Sequence, residues 1–286
     1  MTTARPQAVL EMIGRQLRDY RTACDLTRTA AGQYIGADDT KISRLELGRV
    51  RVKEEDLERL LGLYQVPPAE RKSILDLSRR AGDRHWWFEH RDVLADWFCS
   101  YLLLESAAQY IRTYEMRFIP GLLQTPAYAE AVMRQRYADE AEVRRRVDVR
   151  MQRQRILTEP GSPRLWAVVD EAALRRPVGG PQVMREQLKA LVRANERQYT
   201  RIQVLSFGAA GPASPGTSFS ILRLRNAQLQ DVVYLEQIES AQFLTDAEQA
   251  DPYQKAWSRL GVAAGEPDET AAVIEDALRR DYLHVA

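Results

Sequence analysis

Cysteine is scarce in this sequence, and long apolar runs are absent. Only Cys24 and Cys99 occur among 286 residues, and they fall in different predicted domains. This excludes a disulfide framework and favours a reducing compartment. No apolar run approaches the roughly 20 residues that cross a bilayer, and the first residues lack the apolar stretch of a signal peptide. We therefore expect a cytoplasmic protein that makes no membrane contact.

The sequence also lacks an excess of charge of either sign. The 41 basic and 40 acidic residues leave a net charge of +1, so overall charge does not predict nucleic-acid binding. Any nucleic-acid contact must therefore come from a local basic patch. Hydrophobic residues, in contrast, make up 45% of the chain, and at 286 residues this predicts a sizeable core divided between two domains.

The first 82 residues show helical periodicity that is interrupted by turn residues, without a convincing strand. Val9, Ile13 and Leu17 recur at the spacing of one helix face, and Gly82 stands where the last of the helical patterns ends. We therefore predict a mainly α domain of five helices over residues 1–82.

Residues 83–91, DRHWWFEHR, are polar and aromatic at once, which predicts a connector that packs against its surroundings. Residues 92–286 mix helical and strand patterns, and this predicts an α+β domain. Strands at 218–224 and 232–237 flank a short turn, so an antiparallel sheet is favoured over a parallel one. Further strands are predicted at 112–119, 165–169 and 202–207, helices at 93–111, 126–136, 140–157, 181–196, 247–260 and 269–282, and a loop at 208–216.

The segment from Leu26 to Gly48 has the pattern of two short helices joined by a turn at Gly36. Small residues on the first helix allow a close crossing, apolar residues form a shared core, and the glycine relieves the backbone at the bend. The small residues are Ala30, Ala31 and Gly32, and the apolar ones are Ile35, Ile42 and Leu45. The pattern predicts a helix-turn-helix whose second helix enters the major groove of double-stranded DNA.

The outer side of this second helix supplies candidate DNA contacts. The side chains expected to face away from its apolar residues are Asp39, Thr40, Lys41, Ser43 and Arg44. From Lys41 to Lys53 the chain carries five basic residues and one acidic residue, which gives the local patch that the net charge hides. Within it we expect Arg49 and Arg51 to contact phosphates, although a charged run is also the usual pattern of a solvated face.

This segment resembles the helix-turn-helix of the Xre-type phage-repressor family. The residues in register with the family pattern are Thr27, Gly36, Ile42, Ser43, Arg44, Glu46 and Gly48. The resemblance implies that Thr40, Lys41 and Arg44 contact bases or phosphates. It also implies that Thr27 and Arg28 touch the DNA backbone at the start of the first helix.

Glu46 matches the Xre pattern, and three other residues depart from it. The resemblance implies that Glu46 braces its helix through an arginine such as Arg15 or Arg18. Arg28 replaces a frequent Gln and keeps a phosphate contact possible. Asp38 and Asp39 replace Ser or Gln: Asp38 can cap the second helix, whereas Asp39 would be repelled by phosphate unless it accepts a hydrogen bond from cytosine.

Residues 92–286 resemble the C-terminal domain, of unknown function, of a group of actinobacterial Xre-type regulators. The likeness is carried by DWF at 96–98, FIPGLLQTPAYAEAV at 118–132 and VVDEAALRRPVGG at 168–180, among other stretches. It implies an antitoxin-like regulator that binds a small protein encoded by a neighbouring gene. We also expect a homodimer, because one helix-turn-helix buries little surface on DNA and two half-sites raise affinity.

Aromatic residues crowd the start of the second domain. They predict either its core or, alternatively, a pocket or partner surface formed by Trp86, Trp87, Trp97, Tyr101 and Glu105. A closed apolar cavity would favour a small-molecule effector, and an exposed apolar groove would favour a protein partner.

Signals for catalysis and for cofactors are weak. The acidic pairs Glu105 with Glu115 and Asp170 with Glu171 are candidates for an acid and a base in catalysis. Adjacent residues on a strand point to opposite faces, however, which counts against such a role. His85 and His90 are five residues apart, which suits neither helical spacing of a metal site. We therefore expect a regulator that is not an enzyme and has no cofactor or metal, and keep an enzyme with an accessory DNA-binding module as the remaining alternative.

Overall fold

The computed structural model describes residues 6–225 and 230–282. The chain divides into two compact units: the first runs to Ala107 and includes Leu224–Gln230, and the second comprises Ala108–Arg223 together with the chain from Asp231 onward. Over the described ranges, no helix is both long enough and apolar enough to cross a membrane.

The first unit is helical. Its helices are α1 (Gln7–Ala23), α2 (Arg28–Tyr34), α3 (Asp39–Glu46), α4 (Glu54–Leu63), α5 (Pro68–Arg80) and α6 (Asp96–Ala107), with a 3₁₀ helix at Trp86–His90. The five helices predicted before Gly82 are confirmed. Helix α6 begins three residues later than predicted and ends four residues earlier, because the chain from Ala108 onward pairs as a strand.

Helix α1 lies across the end of α3. Its predicted apolar stripe is confirmed, since Val9, Ile13 and Leu17 are at most 3% exposed. On the same helix, a Cβ atom at Gly14 would overlap the carbonyl oxygen of Leu45. The backbones of α1 and α3 therefore approach more closely than any larger residue at position 14 would allow.

The second unit is built on a six-stranded sheet in the order β3-β2-β1-β4-β5-β6. The strands are β1 (Ala108–Glu115), β2 (Arg164–Asp170), β3 (Thr200–Leu205), β4 (Phe219–Leu224), β5 (Val232–Glu236) and β6 (Ala241–Leu244). The helices are α7 (Pro126–Arg134), α8 (Glu140–Gln154), α9 (Glu171–Arg175), α10 (Pro181–Asn195), α11 (Phe207–Ala213), α12 (Ala247–Ala263) and α13 (Pro267–Asp281).

The α+β class is confirmed, and the sheet is mixed. The antiparallel prediction holds for β4, β5 and β6, whereas β1, β2 and β3 are parallel to one another. The reason lies in the connections, because α7 with α8 and α9 with α10 carry the chain back to the same end of the sheet before each next strand begins. Among the α-helices and strands of the described residues, three were not predicted: the short helix α9, strand β6, and α11 at the start of the expected loop 208–216.

One face of the sheet is covered by α12 near the carboxyl ends of the parallel strands. Val168, Leu205 and Ile221 are fully buried there, against Trp257 and Leu260 of the helix. This apolar contact excludes water from the part of the sheet that α12 covers.

The outer edge of β3 is covered by polar groups. The Ile202 amide donates to the Asn195 side chain at 2.7 Å, and its carbonyl oxygen accepts from the Thr270 hydroxyl at 2.8 Å. The Gly265 amide donates to the Val204 carbonyl oxygen at 3.3 Å. These backbone groups are thus satisfied within the chain, which discourages pairing of this edge with another strand.

A buried ion pair joins three segments of the first unit. The Arg21 guanidinium on α1 donates to both carboxylate oxygens of Glu46, at 2.6 and 3.1 Å, and to the Leu26 carbonyl oxygen at 2.6 Å. The two side chains are only 10% and 6% exposed. The structural role of Glu46 is confirmed, but its partner is Arg21 rather than Arg15 or Arg18, and the hydrogen bond to Glu46 raises the pKa of Arg21.

We predict that Glu46→Ala lowers the free energy of unfolding by about 3–5 kcal/mol, because it leaves the Arg21 charge buried without its partner. The matched control is Glu54→Ala, which removes an ion pair with Arg79 whose side chains are 55% and 50% exposed. That change should cost at most about 1 kcal/mol. Urea unfolding followed by far-ultraviolet circular dichroism checks both, and equal losses in the two variants would contradict the role of the buried pair.

Candidate nucleic-acid interface

Side-chain caps fix the starts of α2 and α3. The Thr27 hydroxyl oxygen accepts from the Ala30 amide at 3.1 Å, and an Asp38 carboxylate oxygen accepts from the Lys41 amide at 2.8 Å. The predicted cap at Asp38 is therefore confirmed. Each cap satisfies one of the amides that a helix leaves unpaired at its start, so both helices begin at a defined residue.

Glycines set the angle between α2 and α3. Gly36 has the positive φ of +71° that the predicted bend requires. A Cβ atom at Gly32 would lie 2.8 Å from the carbonyl oxygens of Ala37 and Asp38, so only glycine lets α2 approach the turn this closely. The orientation of α3 thus depends on two residues without side chains.

The outer side of α3 is accessible as predicted. Ile42 and Leu45 are 1% and 4% exposed and point into the core. Asp39, Thr40 and Arg44 are exposed, and Ser43 is half-buried. Because these residues are held on a short, capped helix, their side chains have a fixed platform from which to reach a groove.

Arg28 connects the start of α2 to this surface. Its guanidinium donates to the Ser43 hydroxyl oxygen at 3.2 Å, and both Thr27 and Arg28 are exposed. The structure therefore brings together the residue expected to touch phosphate and a residue expected to face the groove.

Lys41 is engaged within the protein. Its ammonium lies 2.8 Å from a carboxylate oxygen of Asp56 on α4, and the two side chains are 39% and 13% exposed. A DNA contact through Lys41 must share or break this ion pair. Asp56 carried no signal in the sequence, since it resembles the acidic residues common in the first turn of any helix.

The basic segment after α3 is only partly free to contact DNA. Arg49 and Lys53 are exposed. The Arg51 guanidinium donates to the Ser78 carbonyl oxygen at 3.2 Å and lies where a Cβ atom at Gly82 would be. Arg51 therefore helps to hold the end of α5, where a cation is favoured by the helix dipole.

The aromatic residues near the connector lie mostly inside the first unit. Trp87, Tyr101 and Glu105 are at most 5% exposed, and Trp86 and Trp97 are half-buried. The His85 ring stacks on Trp87 with centroids 4.2 Å apart. This packing fits the interpretation as core, and the interpretation as a pocket or partner surface stays a prediction.

The acidic pair Asp170 and Glu171 serves local structure. Asp170 caps α9 by accepting from the Ala172 amide at 2.9 Å, and Glu171 forms an ion pair with Arg175 at 2.8 Å. In the second unit, which also contains this pair, burial raises the pKa of Glu115 to about 7.

Comparison with known proteins gives two matches. Residues 13–74 match a helix-turn-helix domain, and residues 98–276 match a domain of unknown function, DUF5753. The first match contains α2 and α3, so the helix-turn-helix prediction is confirmed and indicates a DNA-binding regulator. Comparison with curated proteins and with solved structures gave no match. Because the second match spans more than half of the chain, the protein belongs to the DUF5753 family and carries a helix-turn-helix domain beside the domain that defines that family.

Proposed function

We propose that this protein is a sequence-specific transcriptional regulator of the Xre type, with residues 1–82 as the DNA-binding domain and 83–91 as the connector. The observation that carries the proposal is the capped pair α2 and α3, whose outer surface presents Thr40, Arg44 and the Arg28–Ser43 contact. In this proposal α3 lies in the major groove, where Thr40 and Arg44 contact base edges.

Phosphate contacts position the domain in this proposal. Thr27 and Arg28 lie at the start of α2, where unpaired amides and the helix dipole also favour an anion. Arg49 and Lys53 extend the positive surface beyond α3. Asp39 accepts a hydrogen bond from cytosine, which turns its charge into a contribution to specificity.

For residues 92–286 we propose homodimerisation and binding of a small protein partner encoded by a neighbouring gene. The support is the resemblance to the C-terminal domain of actinobacterial, antitoxin-like regulators that act in the cytoplasm. Two chains of 32.7 kDa should therefore travel as one particle in chromatography with light scattering at micromolar concentration. A particle with the mass of one chain would overturn the dimer, and a small molecule retained on the purified protein would favour the alternative role as a ligand sensor.

We predict that Arg44→Ala and Arg28→Ala weaken duplex binding without loss of folding, because both side chains are exposed. Loss of a base contact by Arg44 should cost about 1–3 kcal/mol and relax specificity at one position. Loss of a phosphate contact by Arg28 should reduce the salt slope of binding by about one unit.

The duplex for these measurements is obtained by selection from random sequences, and affinities are measured across a salt series. Lys72→Ala is the matched control, since Lys72 is an exposed basic residue on α5. Affinity and salt slope that stay at the wild-type values in both arginine variants would remove α3 as the reading helix.

For Lys41 we expect an effect on stability, because its side chain is paired with Asp56. Lys41→Ala should lower the free energy of unfolding by about 1–3 kcal/mol, because it leaves the poorly exposed Asp56 carboxylate without its charged partner. Asp56→Asn should instead tighten duplex binding, since it releases the Lys41 charge and removes a negative charge. Unfolding and duplex titrations separate the two effects, and weaker binding by Asp56→Asn would show that the pair is needed to orient α3.

A further inference from the structure

Arginine and aromatic side chains alternate on one part of the sheet in the second unit. Arg201 of β3 lies beside Trp166 of β2, and Arg164 of β2 lies beside Tyr110 of β1. Because residues two apart on a strand share a face, Arg164 and Trp166 are on the same side of β2. We call these four residues the arginine–aromatic face.

The guanidinium of each of the two arginines lies over the ring of its aromatic neighbour. The Arg201 guanidinium lies 4.6 Å from the centre of the Trp166 ring, and that of Arg164 lies 5.7 Å from the centre of the Tyr110 ring. Both arginine residues are exposed. A guanidinium that lies over a ring keeps its N–H edges available, so stacking and ion pairing can occur together.

The ring beneath Arg201 is held in place. The Trp166 indole N–H donates to the Gln203 side chain at 2.6 Å, and the Trp257 ring packs nearly perpendicular to the Trp166 ring with centroids 5.4 Å apart. Gln203 is 1% exposed and also donates to the Gly265 carbonyl oxygen at 3.0 Å. A fixed ring restricts the arginine above it, which lowers the entropy lost when that arginine binds a partner.

The neighbouring charges leave this face positive. Arg112 and Arg223 both pair with Asp231, whose side chain is only 4% exposed, so two positive charges meet one negative charge. Arg201 has Glu266 at 3.9 Å, with side chains 46% and 79% exposed, a geometry that contributes little. Over the described parts of the chain, no acidic side chain forms an ion pair with the Arg164 guanidinium, which lies over the Tyr110 ring.

We propose that the arginine–aromatic face binds an acidic segment of a protein partner, whose carboxylates pair with Arg164 and Arg201. The proposal rests on the partner-binding role proposed above for residues 92–286, and it names the surface and the chemistry. A carboxylate matches the fork of N–H groups on a guanidinium, and such charge-assisted pairs are the stronger hydrogen bonds.

A protein partner fits this face better than a nucleic acid does. Base stacking needs free ring faces, and on Trp166 and Tyr110 a guanidinium already lies over the ring. A long polyanion also needs an extended positive field, whereas residues 108–286 carry nearly as many acidic as basic residues. Two oriented arginines on a neutral domain instead suit a short segment with a few carboxylates.

The test uses the full-length protein and a short fluorescein-labelled peptide of alternating Glu and Thr, with a peptide of alternating Gln and Thr as the probe control. Binding is followed by fluorescence anisotropy at near-physiological salt. We expect the Glu peptide to bind and the Gln peptide not to bind. The double variant Arg164→Gln/Arg201→Gln should weaken binding by at least about tenfold.

The matched control is Arg144→Gln/Arg193→Gln, which removes the same charge from exposed positions on α8 and α10 and should change the affinity by less than about twofold. A second variant, Arg164→Lys/Arg201→Lys, keeps the charge but loses the planar fork. We expect it to bind several-fold more weakly than the wild type.

Either of two peptide results would overturn the proposal: wild-type affinity in Arg164→Gln/Arg201→Gln, or equal binding of the Glu and Gln peptides. A third result would also overturn it: a single-stranded oligonucleotide that displaces the Glu peptide, binds more tightly than that peptide, and loses this binding in Arg164→Gln/Arg201→Gln. Duplex binding is measured on each preparation and should be unchanged by the sheet variants. Loss of peptide binding with intact duplex binding supports the proposal. Peptide affinity that is unchanged by the sheet variants overturns the proposal. That result leaves the proposed DNA-binding role of α3 intact, because that role is tested separately through Arg44.

Discussion

The position of α3, the helix that we propose reads DNA, depends on one buried ion pair, Arg21 with Glu46. It ties the end of α1 to the end of α3 and, through the Leu26 carbonyl oxygen, to the chain that enters α2. Water cannot replace these contacts, because both side chains are almost fully buried. Charges removed from water are tolerated only when their hydrogen bonds are satisfied, so the pair permits a narrow range of arrangements of the three helices. The exposed side of α3 follows from that restriction.

Local signals predicted much of this arrangement, and long-range pairs were not accessible from the sequence. The caps at Thr27 and Asp38 and the bend at Gly36 depend on residues within one helical turn, so their pattern is visible along the chain. Arg21 and Asp56 find their partners 25 and 15 residues away, and only the folded helices bring them together. The sheet shows the same contrast, since β4, β5 and β6 lie close together in the sequence, whereas the parallel strands are separated by pairs of helices.

One face of the sheet in the second unit has two regions, an apolar region packed against α12 and the arginine–aromatic face. Toward the carboxyl ends of the parallel strands, Val168 and Leu205 are buried against α12. Two residues earlier on the same strands, Trp166 and Gln203 mark the change from apolar packing to the arginine–aromatic face. Period-two alternation alone would not separate these regions, because every second residue shares the face. What separates them is the extent of α12, which covers one part of the strands and leaves the other accessible.

We propose that α2 and α3 form the surface that contacts DNA. Hydrogen–deuterium exchange on the full-length protein, with and without a duplex selected from random sequences, tests this claim most directly. We expect the duplex to slow exchange in peptides that cover residues 27–49, because bound DNA excludes water from α3 and stabilises its hydrogen bonds. Slower exchange confined to peptides from residue 108 onward, with residues 27–49 unchanged, would contradict it.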